Sequence, residues 1–443
     1  MKQFHRTWAL VLVAVLAVGV VLTGCGGKEA APKGGTGSSD KPFAGTTIRF
    51  MAANHPWTES LKTMLPDFEA KTGVKVQMDS ITENQLTQKL TVELTSGAGT
   101  VDVFMQRPLQ EAKLFDKNGW YTDLNTFLND SKKTPAEFGA GDFFQGPMQT
   151  ETVSGHLTGI PIVTEQEIVY YRKDLFQAAN LQPPKTLADL AAAAKKLNNP
   201  DKGIYGIVMR GKGNPAVTQL SSFLYSEGGD FIRDGKFVID SPEAVKAFTE
   251  YGSLLKNYGP PGVLNMEWPQ AAALFAQGKA AMWVDANSLY KNVTDKDKST
   301  VGDQVGFAMF PTGDKGALPY SVTSWGISIA KSSKNQDAAW EFVKWATSKE
   351  VTTKIQSGGV PSARTSVWES AEGKKAWPAE WVTVALDSGK VGKPADRPLV
   401  INVGKARDLV GDVITAAITG KDVAATAKAS NDKLNALLAE EAK

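Results

Sequence analysis

The sequence predicts an α/β protein of two or three domains, on three observations. The chain has 443 residues, more than one typical core organises. Near its start two strand-like runs flank a helical period, the β-α-β pattern of a parallel strand pair. In mid-chain, residues 156–176 form an extended stretch interrupted by polar residues, which suits a crossing between domains. Hydrophobic content of 42% and charged content of 22% are ordinary globular values. A net charge of +2 and no basic stripe give no reason to expect nucleic acid as a partner.

In chain order, Lys2 and Arg6 precede an apolar run over 8–22, and no further charge appears before Lys28. Residues 1–24 therefore read as a secretory signal; a retained membrane span would need about 20 apolar residues. Leu22-Thr23-Gly24-Cys25 resembles the lipobox of bacterial lipoproteins. That resemblance implies lipidation of Cys25 and a membrane anchor on the outer face of the cell. Cys25 is the only cysteine, so it has no internal disulfide partner. Residues 25–45 are rich in Gly, Ser and Pro and read as a disordered tether, about 25 Å long on average.

Residues 46–52 read as the first strand, followed by Asn54, His55, Pro56 and Trp57. Leu61, Leu65 and Phe68 recur at helical spacing, Gly73 sits at a C-cap position, and 74–78 alternates as a second strand. Leu86, Leu90 and Leu94 mark another helix, and 101–105 is a strand running into Gln106, Arg107 and Pro108. In open α/β sheets ligands gather beyond the carboxyl ends of strands. This rule selects Asn54, His55, Trp57, Gln106 and Arg107.

Within 156–176, the apolar runs 157–163 and 168–171 read as two short strands around Thr164, Glu165, Gln166 and Glu167. Gly159 and Pro161 argue against one continuous ladder. Thr186 and Asp189 form a capping box for an Ala-rich helix, and 204–209 is a strand. Ser241-Pro242 and Glu267-Trp268 each open a helix, and 275–287 turns from helix to strand. A strand and then a helix with Trp340, Phe342 and Trp345 follow Ser324-Trp325-Gly326. The C-terminal part is helical over 408–418 and 423–438, and there is no internal repeat.

"GIPIVTEQEIVYYRKDLF" followed by "PPKTLADLAAAAKKL" resembles the hinge and next helix of the extracellular solute-binding proteins of carbohydrate ABC transporters, the maltose-binding-protein-like group. "FEAKTGVKVQM", "LTSGAGTVDVFMQ", "FAQGKAAMWVDAN" and "YSVTSWGISIAKSSKNQDAAWEFVKWATSKE" extend the resemblance over most of the chain. It implies a two-lobed periplasmic-binding-protein-like fold (type II), with crossings near 159–166, 281–286 and 325–330. The first lobe would hold 46–160 and 285–326, the second 161–284 and 327–443. The implied function is a monomeric, lipid-anchored receptor. It would bind a sugar, oligosaccharide or polyol between the lobes and deliver it to the permease subunits of an ABC transporter. "GGVPSARTSVW" is similar to a segment near the family's cleft and nominates Arg364, with Asn402 as a further contact. Where the family often has a Gly-Pro-Trp-like run, this chain has Asp285-Ala286-Asn287-Ser288.

Catalysis has few tools here. There is no Gly-x-Ser-x-Gly elbow, no P-loop and no His- or Cys-rich metal spacing, so neither metal nor cofactor is expected. Glu165 and Glu167 could act as the paired carboxylates of a glycoside-acting enzyme, which is the alternative function. A receptor for a non-sugar solute is another. For sugar binding, flat aromatics cover C–H faces while polar side chains meet the hydroxyls. Four of the eleven tryptophans have such polar neighbours: Trp57, Trp268, Trp283 (with Asp285 and Asn287) and Trp325 (with Ser324). Glu165 and Gln166 complete the set, the ionised carboxylate as a strong acceptor. Trp340 and Trp345 read as core, while Trp120, Trp368, Trp377 and Trp381 stay open.

Overall fold

The computed structural model describes residues 41–442. The expected signal segment, Cys25 and most of the tether lie outside the described residues. The last five tether residues are not a free coil: Phe43 packs against the first core, and its N–H donates to Thr72 O at 3.3 Å. Among the described residues no helix is long and apolar enough to cross a membrane.

Seven strands form one continuous sheet: β1 (Thr47–Ala53), β2 (Lys75–Ile81), β3 (Val103–Gln106), β4 (Ile160–Arg172), β5 (Met282–Ala286), β6 (Val305–Met309) and β7 (Ser321–Ile329). β1 pairs in parallel with β2 and β3, as the β-α-β pattern predicts, and β7 runs antiparallel to β3. The expected pair of short strands is instead one 13-residue strand, β4, which changes partners midway. Its first half pairs with β7, up to Gln166 opposite Ser321. Its second half pairs with β5 on one edge and β6 on the other. Pro161 is tolerated because the register of β7 shifts at Trp325 and Gly326, relieving the ladder where a donor is missing. The expected strand over 204–209 is reduced to single bridges at Ile204, Tyr205 and Val208.

The sheet continues from one lobe into the other through β4 and β7. Val163 belongs to the first core with Phe50, Phe104 and Trp340. Beyond it, side chains alternate across β4 as the pleat dictates. Ile168 and Tyr170 enter one cluster with Trp283 and Phe307, and Val169 enters another with Phe223 and Val413. Both faces of the second half-sheet are therefore buried, which is why these strands read as unbroken apolar runs.

Core membership corrects the expected lobe segments. β5 and β6 pair with the second half of β4, so residues 285–310 pack in the second lobe rather than returning to the first. The chain returns through β7, and Trp325 to Ala363 pack in the first core. It leaves again between Ala363 and Trp377, whose indole joins the second lobe.

The two lobes carry the helices α1 (Pro56–Lys62), α2 (Glu83–Ser96), α3 (Leu187–Leu197), α4 (Gly213–Ser226), α5 (Pro242–Tyr258), α6 (Trp268–Ala276), α7 (Gln336–Ala346), α8 (Val403–Thr419) and α9 (Val423–Glu441). The Thr186–Asp189 capping box starts α3, and Ser241 Oγ accepts the Ala244 N–H at the start of α5. α4 and α8 cross at two glycines. A Cβ on Gly411 would lie 2.6 Å from Gly213 C, so only glycine allows the approach. That crossing brings Arg407 of α8 against Asn214 of α4, at the edge of the cleft.

Candidate functional site

A cavity of about 50 Å³ lies between the lobes, room for about four waters if each needs on the order of 10–15 Å³. The first lobe and hinge contribute His55, Glu83, Arg107, Glu165, Ser324 and Trp325. The second lobe contributes Arg210, Asn214, Thr218, Trp268, Asp396, Arg397 and Arg407. Almost every wall is charged or hydrogen-bonding, with two indoles among them.

His55 is the N-cap of α1. Its Nδ1 accepts the Trp57 N–H at 3.1 Å, so the neutral ring carries its proton on Nε2. Nε2 is buried without a hydrogen-bond partner among the described residues, 3.9 Å from Glu165 Oε1. Glu165 also accepts from the Ser288 hydroxyl. Here a donor and an acceptor stand side by side on the hinge floor.

Glu83 opens α2 and accepts from Arg107 Nη1 at 3.2 Å and from Trp268 Nε1, across the cleft, at 3.1 Å. Burial pushes its carboxyl up, but the Arg107 and Arg210 guanidinium groups and His55 outweigh burial and hold it below the usual range. Arg107 is further fixed by Glu111 and Thr87, and its guanidinium lies 5.6 Å from the Trp325 ring centre, within cation–π range.

In the second lobe, Arg210 makes a two-pronged pair with Asp285 (Nη2 to Oδ1 2.7 Å, Nε to Oδ2 3.2 Å). Its Nη1 has no acceptor among the described residues, so the pair aims a donor into the cavity. Asp396 pairs with Arg397 and accepts from Thr218 Oγ1 at 3.0 Å. Gln110 of the first lobe accepts from Arg397 Nη1 at 2.9 Å and Arg407 Nη1 at 3.1 Å. The lobes therefore touch through Glu83–Trp268 on one side and Gln110–Arg397/Arg407 on another.

Of the residues expected from sequence, His55, Arg107, Glu165, Trp268, Ser324 and Trp325 converge here. Asn54 accepts from Ser80 Oγ and lines an adjoining surface groove with His55 and Trp268. The others are placed elsewhere. Trp57 packs edge-on to Phe50 in the first core. Gln106 is buried against Glu151 and Tyr121. Trp283 is fully buried and stacks on Tyr170 at 4.5 Å, since its strand is covered on both faces. Asp285 is equally buried and acts on Arg210. Asn287 ties the hinge, accepting the Gln166 N–H at 3.0 Å and donating to Gln166 Oε1 at 2.6 Å. Gln166, alternating with Glu165, lines a different groove of about 1220 Å³ on the other face of the hinge strands. Arg364 is a core strut: it donates to Thr347 O, Phe138 O and Gly139 O, pairs with Asp142, and stacks 4.0 Å from Phe143. Asn402 is exposed and caps α8.

Sequence reasoning missed Glu83, Arg210, Asp396, Arg397 and Arg407. Arg210 ends the extended run 204–209, so the strand-end rule that found Arg107 would have found it in the second lobe. Arg407 lies between Val403 and Val410 on the buried face of α8, a cation on an apolar stripe and a legible anomaly. Asp396 and Arg397 sit in a loop that gave no signal.

Residues 54–353 match the family described as bacterial extracellular solute-binding protein. The chain belongs to that family. A mannitol-binding protein of Pseudomonas aeruginosa is 35% identical over 290 residues, 63% of this chain. The chain spans 64% of that relative's length. An erythritol/L-threitol-binding protein of Mycolicibacterium smegmatis is 28% identical over 376 residues, 80% of this chain and 78% of the relative. A solved solute-binding protein of Agrobacterium radiobacter, in complex with ribitol, superposes with a TM-score of 0.82 at 27% identity, covering 90% of this chain and all of that one. The type II two-lobed fold expected from sequence is thus found, and this family member's relatives are binding proteins rather than enzymes.

Proposed function

We propose that the protein is an extracellular, lipid-anchored receptor for a small acyclic polyol, which it delivers to the permease of an ABC transporter. The observation that carries this reading is the cavity wall. Carboxylates and guanidinium groups alternate around it, so successive hydroxyls of a polyol can each donate to one neighbour and accept from the next. His55 Nε2 and Glu165 serve one hydroxyl, Arg210 Nη1 another, and the indoles of Trp268 and Trp325 cover the carbon chain. The direct lobe-to-lobe bonds favour a small monomeric cargo over an oligosaccharide. The relatives named for mannitol, erythritol and threitol, and the ribitol complex, support the same class. Capture is a population shift: cargo that touches both lobes favours the closed form, and the permease reads that form. Anchoring rests on the lipobox-like tetrapeptide ending in Cys25, with the tether giving the lobes reach from the membrane.

Titration calorimetry of the purified protein with erythritol, ribitol, D-mannitol and maltose tests the reading. Saturable heat is expected from at least one alditol and none from maltose. Glu165→Gln should weaken alditol binding roughly tenfold, the loss of a charge-assisted bond worth about 1.5 kcal/mol. Turnover of a glycoside, or heat from maltose alone, would overturn it. Loss of membrane association in Cys25→Ala tests the anchor.

A further inference from the structure

The residue at which β4 changes partners is Glu167. Its N–H donates to Tyr320 O at 3.3 Å, the last link toward β7, and its Cα faces Ala286 of β5. The side chain is fully buried, and neither carboxyl oxygen has a hydrogen-bond partner among the described residues. Around it lie further orphans. Gln219 is fully buried with both amide atoms unpartnered, and the Tyr320 hydroxyl is buried and unpartnered. Gln219 sits one turn before Ser222 on α4, and Ser222 Oγ already accepts the Tyr320 N–H at 3.0 Å. Five unpartnered polar atoms at one pivot are far outside the norm for buried groups.

Every other buried carboxylate nearby has a cation. Asp285 holds Arg210, and Asp396 holds Arg397. The charged and titratable groups facing Glu167 are Arg210 from the strand-like run before α4, Asp285 from β5, Asp396 from the C-terminal loop, Tyr251 from α5, and Tyr320. Each of the two carboxylates already has its own guanidinium, so neither cation is free to pair with a third acid. An ionised Glu167 would be a third negative charge, buried without a counterion, at a cost of several kcal/mol.

We infer that this pivot is a proton-binding site: Glu167 carries a proton in the closed arrangement, and its ionisation accompanies opening of the lobes. As a neutral acid it can both donate and accept, so it can share hydrogen bonds with the Tyr320 hydroxyl and the Gln219 amide without a buried charge. Burial pushes this carboxyl far up; the nearby Ser222 hydroxyl, outside hydrogen-bond geometry, opposes that push and Asp285 reinforces it. Because lobe rotation passes through this residue, opening hydrates the carboxyl and lets it ionise, and closure takes the proton back. For cargo this extends the receptor reading above: alditol binding absorbs up to one proton, and affinity falls by up to about tenfold per pH unit above the ordinary carboxyl range.

Two measurements test it. Ribitol and D-mannitol calorimetry at pH 8, in buffers of different ionisation heat, should show proton uptake in the wild type and none in Glu167→Gln. Equal uptake in both, or none in the wild type, would overturn the inference. The second needs no cargo, so it stands even if no alditol binds. The melting temperature should fall more steeply from pH 6 to pH 8 in the wild type than in Glu167→Gln. Parallel slopes would overturn it, as would failure of this neutral isostere to fold.

Discussion

Glu151 is another buried carboxyl without a cation among the described residues. Gln106 Nε2 donates to its Oε2 at 2.7 Å, while Oε1 is unpartnered among the described residues. Burial, opposed by that bond and reinforced by Glu111, pushes the carboxyl up to about 8. The folded chain therefore holds a proton that the unfolded chain releases near pH 4.5. Stability is full below that point and declines as pH rises toward 8, by at most about 1.4 kcal/mol per pH unit. Glu151→Gln should flatten that decline in calorimetric melting curves; an unchanged slope would refute it. Space is tight here, since a Cβ on Gly326 would lie 2.0 Å from Glu151 Oε1. Asp285 poses the opposite case. Asp285→Asn should cost roughly 3–5 kcal/mol in denaturant unfolding, because it leaves the buried Arg210 unpaired, and it should weaken alditol binding. Neither role was legible in sequence: "WVDAN" names an acid on an apolar strand but not the arginine 75 positions away.

Among the elements, local chemistry was the readable part. Thr186 and Asp189 satisfy each other's backbone N–H at 3.0 Å, and the spacing alone announced it. Thr186→Ala should cost about 1 kcal/mol with cargo affinity unchanged, checked by urea unfolding and calorimetry. β4 was misread because Gly159 and Pro161 mark a weakened ladder, and only tertiary pairing tells a break from a change of partner. The segment from residue 285 onward was misplaced for a related reason. An apolar run such as "AAMWVDA" announces burial on both faces but not the lobe that buries it. Trp283 entered the ligand set on its polar neighbours alone, and those neighbours serve other partners: Asp285 holds Arg210 and Asn287 ties to Gln166.

At the scale of the whole molecule, the two-lobed architecture was legible from the order of quoted segments, and the cleft from the strand-end rule. What stayed hidden were the partners that meet only on folding: Gln110 with Arg397 and Arg407, and Glu83 with Trp268. These contacts hold the two lobes together around the cavity. They also place the two grooves of the hinge in contrast. The larger one, lined by Leu109, Leu386 and Leu399, offers apolar surface that polyol hydroxyls would not favour. A crystal structure of the protein with the alditol it binds tightest is the most direct test. The alditol should lie between the lobes with hydroxyls on His55 Nε2, Glu165 and Arg210 and its carbon chain against Trp268. An alditol lodged in the larger groove, or on one lobe alone, would contradict the account.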